Sequence, residues 1–225
     1  MKLLVTCGPS YEPIDGARRL TNMSTGRLGV TLANAFTVAG YQVICLKGEG
    51  STFPGAARAS RVETFTTNDD LAQRLEALSR FEAVDAVFHA AALCDYRVQQ
   101  VLSAAGEAMS SRKFATRDGR LHLVLAPATK VLPKLRGWFP EARIVGWKYE
   151  LAGTRDDAFA KALKQLRDCR TDACVLNGSA YGEGFALCRG DGGIESVADT
   201  PSLCALLDGW LRSGASLVGP RPATA

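Results

Sequence analysis

Along the chain, short apolar runs alternate with stretches in which apolar residues recur every three or four positions. The runs predict strands at Leu3–Cys7, Gln42–Leu46, Arg61–Phe65, Ala86–Ala92, Ala142–Trp147, Ala173–Leu176 and Phe185–Cys188. The amphipathic stretches predict helices at Gly29–Ala39, closed by Gly40, and at Asn68–Leu78, with Asn68 and Asp69 as caps. Further helices are predicted at Thr129–Trp138, Asp156–Arg167 and Pro201–Leu211. Strands separated by helices need crossover connections, so the expected fold class is α/β, a doubly wound, Rossmann-like, mostly parallel sheet. From 97 to 125 the pattern changes. Arg97–Met109 is small and polar and Leu121–Leu125 alternates, which predicts a small flap or extra strands outside the main sheet. Residues 1–213 read as a single domain and 214–225 as a disordered tail.

With 225 residues, of which 47% are hydrophobic, the chain can bury one substantial core. Its net charge of +4 is spread rather than run together, which does not imply nucleic-acid binding and suits a pocket for anionic substrates. Cys7, Cys45, Cys94 and Cys174 lie within apolar stretches and read as small buried hydrophobes of a reducing compartment. Cys169 and Cys174 form no CxxC pair and only His89 and His122 could add imidazole, so no structural metal site is expected. The opening MKLLVTCGPS is too short an apolar run for a signal peptide, and no stretch approaches the ~20 apolar residues of a membrane span. A soluble, cytoplasmic protein is expected.

The segment Leu4–Gly29 is the most informative. A strand breaks at Gly8-Pro9, a loop carries Asp15, Arg18 and Arg19, and Asn22, Ser24, Thr25, Gly26 and Gly29 lead into a helix. Glycines and hydroxyls between a strand and a helix leave backbone N–H groups at a positive helix end, which suits a phosphate. The plainer reading is an N-capped helix, with Ser24 or Thr25 as cap.

This stretch resembles the opening of the phosphopantothenoylcysteine synthetases (phosphopantothenate–cysteine ligases). There a strand ending in a Gly-Pro-Thr-like turn leads to Arg-x-x-x-Asn-x-Ser-Ser-Gly-x-x-Gly, matched here by Gly8-Pro9-Ser10, Arg18, Asn22, Ser24, Thr25, Gly26 and Gly29. The family's Ala-Ala-x-x-Asp-[Tyr/Phe] motif is matched by Ala91, Ala92, Asp95 and Tyr96. Its Phe-[Lys/Ala]-x-Glu segment resembles Trp147-Lys148-Tyr149-Glu150, and its Val-Ala-Asn resembles Val175-Leu176-Asn177. Trp147 could stack on a base or be core at a strand end. Lys161 and Lys164 match lysines that serve the triphosphate, although a lysine on an amphipathic helix is most often solvated surface. The main departure is at Ser110-Ser111-Arg112-Lys113, where Ser110 takes the place of the first lysine of a basic strand and the last persists as Lys113.

The resemblance implies a ligase of coenzyme A biosynthesis that joins 4′-phosphopantothenate to L-cysteine through an acyl-nucleotidylate made from CTP or ATP with Mg²⁺. It implies catalytic roles for Asn22 and Lys113, and nucleotide binding by Gly8, Ser24, Gly26, Gly29, Trp147, Lys161, Lys164 and Asn177. Substrate binding falls to Arg18, Ala91, Ala92 and Asp95. In the family that arginine acts on the neighbouring subunit's site, so a homodimer is implied. Two alternatives stay open. One is a non-catalytic nucleotide-binding paralogue, with Ser110 as its signature. The other is a Rossmann-fold NAD(P)-dependent reductase, disfavoured because the second strand is read to end at Leu46-Lys47 and no Tyr has a Lys four residues later.

Overall fold

The computed structural model describes residues 1–213, so the expected tail at 214–225 lies outside the described residues. Strand β1 (Lys2–Cys7) leads through a hairpin, β2 (Tyr11–Pro13) and β3 (Arg19–Thr21), into α1 (Arg27–Val38). Then follow β4 (Gln42–Gly48), β5 (Arg61–Phe65), α2 (Asn68–Phe81) and β6 (Ala86–His89). An antiparallel sheet of β7 (Tyr96–Leu102), β8 (Ala108–Met109) and β9 (His122–Pro127) interrupts the main fold, in the order β8-β7-β9. The chain returns through α3 (Leu135–Trp138), β10 (Arg143–Tyr149), α4 (Arg155–Cys169) and β11 (Ala173–Gly178). It closes with β12 (Gly182–Arg189), β13 (Ile194–Val197) and α5 (Thr200–Arg212).

The main sheet runs β13-β12-β11-β10-β6-β1-β4-β5, with every strand running the same way except β12, which is antiparallel to both its neighbours. Its central strands read as unbroken apolar runs because helices cover both faces. Leu3, Val5, Phe88 and Val145 meet α1 and α5 on one face, while Leu4, Val87 and Ile144 meet α2 and α3 on the other. The Phe36 ring of α1 lies 4.6 Å from that of Phe88. Strand order reverses between β1 and β6, which opens a crevice beyond their carboxyl ends. Among the described residues no helix is long and apolar enough to cross a membrane.

Several boundaries differ from the sequence reading. The helix expected at Thr129–Trp138 is a 3₁₀ turn, Leu132–Lys134, followed by the single turn of α3. Pro133 brings no amide proton to a helical ladder and disfavours α geometry in the residue before it. Strand β6 stops at His89, and only a single bridge from Pro9 to Ala92 continues the pairing. Strand β4 runs past Leu46-Lys47 to Gly48, so Glu49 follows it. Its carboxylate takes the Tyr11 hydroxyl at 3.0 Å, with Arg19 at 3.9 Å. Thr67, not Asn68 or Asp69, caps α2, its side chain accepting from the Asp70 amide.

Below the crevice one carboxylate staples three segments. Asp172 Oδ2 accepts from the Ile144 amide at 2.6 Å and from Arg136 Nη2 at 2.7 Å, while Arg136 also donates to the Ala142 carbonyl at 2.7 Å. Both partners are largely buried. Removing one partner leaves the other charge unpaired in the interior, so Asp172→Ala is expected to cost about 3–5 kcal/mol, read as a lower urea midpoint with unchanged slope.

Candidate functional site

The turn after β1 and the start of α1 form a cleft of ≈250 Å³ that gathers Gly8, Ser24, Gly26, Gly29 and Asn177. Neither Ser24 nor Thr25 caps α1. The N-cap is Gly26, at φ 81°, a left-handed conformation that a side chain would strain. Ser24 Oγ instead accepts from the Gly26 amide at 3.4 Å and Thr25 Oγ1 from the Arg27 amide at 3.3 Å. The first helical bond runs from Val30 to the Gly26 carbonyl, so the Leu28 and Gly29 amides have no partner among the described residues. Gly29 has a second task, since a Cβ there would come within 2.2 Å of Cys7 Cβ; its absence seats α1 against β1.

A second cleft, ≈290 Å³, opens on the other side of the crevice and is bordered by His89, Ala91, Asp95, Lys130, Trp147 and Gln165, among others. Asp95 is exposed and paired with Lys130. Asn22 Nδ2 donates to the Ala92 carbonyl at 3.0 Å across 70 residues of sequence, which ties the segment before α1 to the segment after β6. The structure thus brings together the glycine segment, the two alanines and Asp95. Trp147 packs with the α1–α5 side of the core while bordering the second cleft, and its indole N–H is buried without a partner among the described residues.

Six expected site residues border neither cleft: Asn22 and Ala92, which bond each other, and Arg18, Lys113, Lys161 and Lys164. Lys164 pairs along its own helix with Asp168, while its neighbour Gln165 borders the second cleft and donates to the Trp147 carbonyl at 3.2 Å. Lys161, one turn earlier, pairs with Glu150 at 2.5 Å, and Lys148 reaches the same carboxylate at 3.1 Å. Burial favours the neutral form of Glu150, but hydrogen bonds from these two lysines outweigh it and hold the carboxyl below its usual range. Arg18 is engaged within its own chain, donating to the Phe114 carbonyl and lying 3.4 Å from Asp15. Asp15 accepts from the Ala17, Phe114 and Arg18 amides, which hold its carboxyl below the ordinary range. This clasp fixes the strap 110–114 against the loop before β3, and Lys113 lies on it with an exposed side chain.

Three residues of the site escaped the sequence reading as functional groups. Asn68 is 1% exposed and links three loops: its Oδ1 accepts from Ser10, and its Nδ2 donates to the Cys94 and Thr129 carbonyls at 2.8 and 2.9 Å. A polar residue in register with Leu71, Ala72, Leu75 and Leu78 on the buried face of α2 was the available signal. Lys130 has no motif around it. His89 ends β6 with its Nδ1 2.7 Å from Thr6 Oγ1.

Compared with known proteins, residues 1–191 match the family model described as the DNA/pantothenate metabolism flavoprotein C-terminal domain. The chain is 27% identical over 177 residues to the coenzyme A biosynthesis bifunctional protein CoaBC of Thermococcus kodakarensis, covering 78% of this chain and 41% of that protein. It is 30% identical over 184 residues to the CoaBC of Bacillus subtilis, covering 81% and 42%. The chain therefore spans about two fifths of the length of these relatives. In fold it is similar to the DNA/pantothenate metabolism flavoprotein of Streptococcus pneumoniae, with a TM-score of 0.81 at 22% identity over 95% of this chain and 99% of that one. It is also similar to a Cab2 variant solved in complex with phosphopantothenate-cysteine, with a TM-score of 0.67 at 16% identity over 94% and 88%.

The buried His89 generates a pH prediction. Desolvation lowers its pKa from 6.5 to about 4, so between those values the unfolded chain binds a proton that the folded chain refuses. Stability is then lost as pH falls from about 6.5 to 4, by roughly 3 kcal/mol. Urea midpoints at pH 7 and pH 5 are expected to differ for the wild type and to converge for His89→Met.

Proposed function

The chain belongs to the family of the DNA/pantothenate metabolism flavoprotein C-terminal domain, and from that premise we propose that it is a ligase of coenzyme A biosynthesis, condensing 4′-phosphopantothenate with L-cysteine at the expense of CTP or ATP. The observation that carries the reading is the Asn22–Ala92 hydrogen bond. It ties the segment before α1 to the segment that carries Ala91, Ala92 and Asp95, and puts a neutral amide at the junction. A neutral donor there suits the uncharged intermediate formed between two anionic reactants.

In this reading a carboxylate oxygen of phosphopantothenate attacks the α-phosphorus. The bond to the bridging oxygen breaks and pyrophosphate leaves. The cysteine amine then attacks the acyl carbon of the mixed anhydride and the nucleoside monophosphate departs. The α1 amides receive a phosphoryl group, and fixed N–H donors of this kind stabilise charge that develops on phosphoryl oxygens. Asn22 holds the acyl intermediate, an uncharged anhydride suited to a neutral donor. Lys113 supplies a mobile cation from the strap, and Asp95 accepts from the substrate's hydroxyl or amide. Mg²⁺ carried on the triphosphate would neutralise phosphate charge, and Asp95, a carboxylate bordering the second cleft, would be the residue to hold it. A second copy of the chain completes the proposal, with Arg18 released from its clasp to reach the partner's phosphate.

A nucleotide-binding paralogue without turnover is the second reading, favoured by Ser110 in the place of a lysine and by the pairing of Lys161 and Lys148 with one carboxylate. Pyrophosphate release with phosphopantothenate, Mg²⁺ and CTP or ATP in parallel, with and without cysteine, separates the two. Turnover is expected with one nucleotide, and Asn22→Asp is expected to fold normally and lose at least about tenfold in rate. Lys113→Ala is expected to abolish release with the fold intact, because an exposed residue of the strap carries little packing. If wild type and Lys113→Ala are equally inactive while Ser110→Lys gains turnover, the paralogue reading holds.

A further inference from the structure

His89 stands at the carboxyl end of β6, opposite Thr6 of β1 on one side and Gly146 of β10 on the other. Thr6 Oγ1 already receives the Ala91 amide at 3.4 Å. Thr6 is fully buried and its hydroxyl proton meets no other acceptor among the described residues than His89 Nδ1, 2.7 Å away, so we take the hydroxyl as the donor. That arrangement assigns the ring proton to Nε2. Nε2 has no protein partner among the described residues, and His89 borders the second cleft although only 6% of its surface is exposed. Burial keeps the ring uncharged near neutral pH. The cleft therefore has a neutral N–H donor, fixed in direction, in its floor.

Such a donor is poorly matched to a phosphate, which the free amides of α1 and the lysines serve better. It is well matched to an uncharged ring nitrogen or carbonyl. The surroundings fit a flat ring. Gly146 beside it carries no side chain, and a Cβ there would press to 2.9 Å of Gln165 Nε2 and 3.2 Å of a Leu132 methyl. Leu93 and Leu132 supply apolar walls, and the volume of ≈290 Å³ suits a small ligand.

We propose that His89 Nε2 donates a hydrogen bond to a ring acceptor of the nucleobase in the second cleft, and that this bond decides which nucleotide the protein prefers. The inference rests on the ligase reading, which supplies a nucleotide as ligand, and adds the residue that tells one base from another. Thr6 acts through it as a positioning residue, by holding the tautomer.

The test measures dissociation constants for CTP with Mg²⁺, ATP with Mg²⁺ and 4′-phosphopantothenate by calorimetry on wild type, His89→Met and His89→Gln. The wild type is expected to prefer one nucleotide. Methionine fills similar space without a donor, so His89→Met is expected to lose about tenfold for the preferred nucleotide and to erase the preference. Glutamine restores an N–H at similar reach and is expected to keep most of the preference. Phosphopantothenate should bind all three alike. Should His89→Met fail to fold, Thr6→Val leaves the ring in place but frees its tautomer, and the preference is expected to fall there as well. A preference that survives in the folded variants, a wild type that binds both nucleotides equally, or a loss that falls on phosphopantothenate overturns the proposal while leaving the ligase reading intact. A wild type that binds neither nucleotide overturns both.

Discussion

The part of the molecule above the sheet is irregular backbone, and its coherence depends on one buried amide. Backbone groups removed from water must find partners, and loops lack the ladders that supply them. Asn68 does this for three loops at once. The Ser10 hydroxyl donates to its Oδ1 at 2.7 Å and accepts the Cys94 amide at 2.9 Å, and Asn68 returns two bonds to the Cys94 and Thr129 carbonyls. The turn after β1, the segment after β6 and the approach to α3 are thereby fixed relative to one another. The spacing of the two clefts, and the reach of Asn22 to Ala92, follow from that network.

What could be read in the sequence follows from how local each signal is. The central strands are apolar on both faces because both are covered, and that needs no knowledge of partners. The glycine segment before α1 was equally legible, because its geometry is set within a few residues. Long-range ties were not. Asn68 reads as a cap when only its neighbours are known, yet its partners lie 58, 26 and 61 residues away. The short strands β2, β3 and β13 carry little apolar signal, since most of their residues are exposed or half-buried. At 129–138 the apolar spacing was right about burial, with Val131 and Leu135 in the core, but Pro133 overrode it in the backbone. Lys164 and Gln165 show how one residue along a helix turns a side chain by roughly 100°, one paired on the surface with Asp168 and the other bordering the second cleft.

Charge at the site is stored in pairs. Asp95 holds Lys130, Glu150 holds Lys161 and Lys148, and Asp15 holds Arg18. The Asp95–Lys130 pair is exposed and worth about 0–1 kcal/mol, so an arriving phosphate could take over its cation at small cost, whereas the Glu150 and Asp15 carboxylates are themselves shielded from solvent. The neutral groups, Asn22, His89 and the α1 amides, are fixed by strands and helix ends instead. Rigid neutral donors beside exchangeable cations let anionic ligands bind without leaving bare positive charge behind when they depart.

The seven cysteines all lie buried and unbonded. Burial pushes the Cys188 and Cys204 thiols up to about 11, and the closest sulfurs, Cys7 and Cys45, face each other 3.7 Å apart inside the core. Exchange between a thiol and a disulfide needs an accessible thiolate. A protein surrounded by free cysteine and its oxidised dimer would be capped by them wherever it offered such a group. None of the seven is exposed, and burial pushes up the thiols of Cys94 and Cys169, the two that border the second cleft, so the folded chain resists such capping.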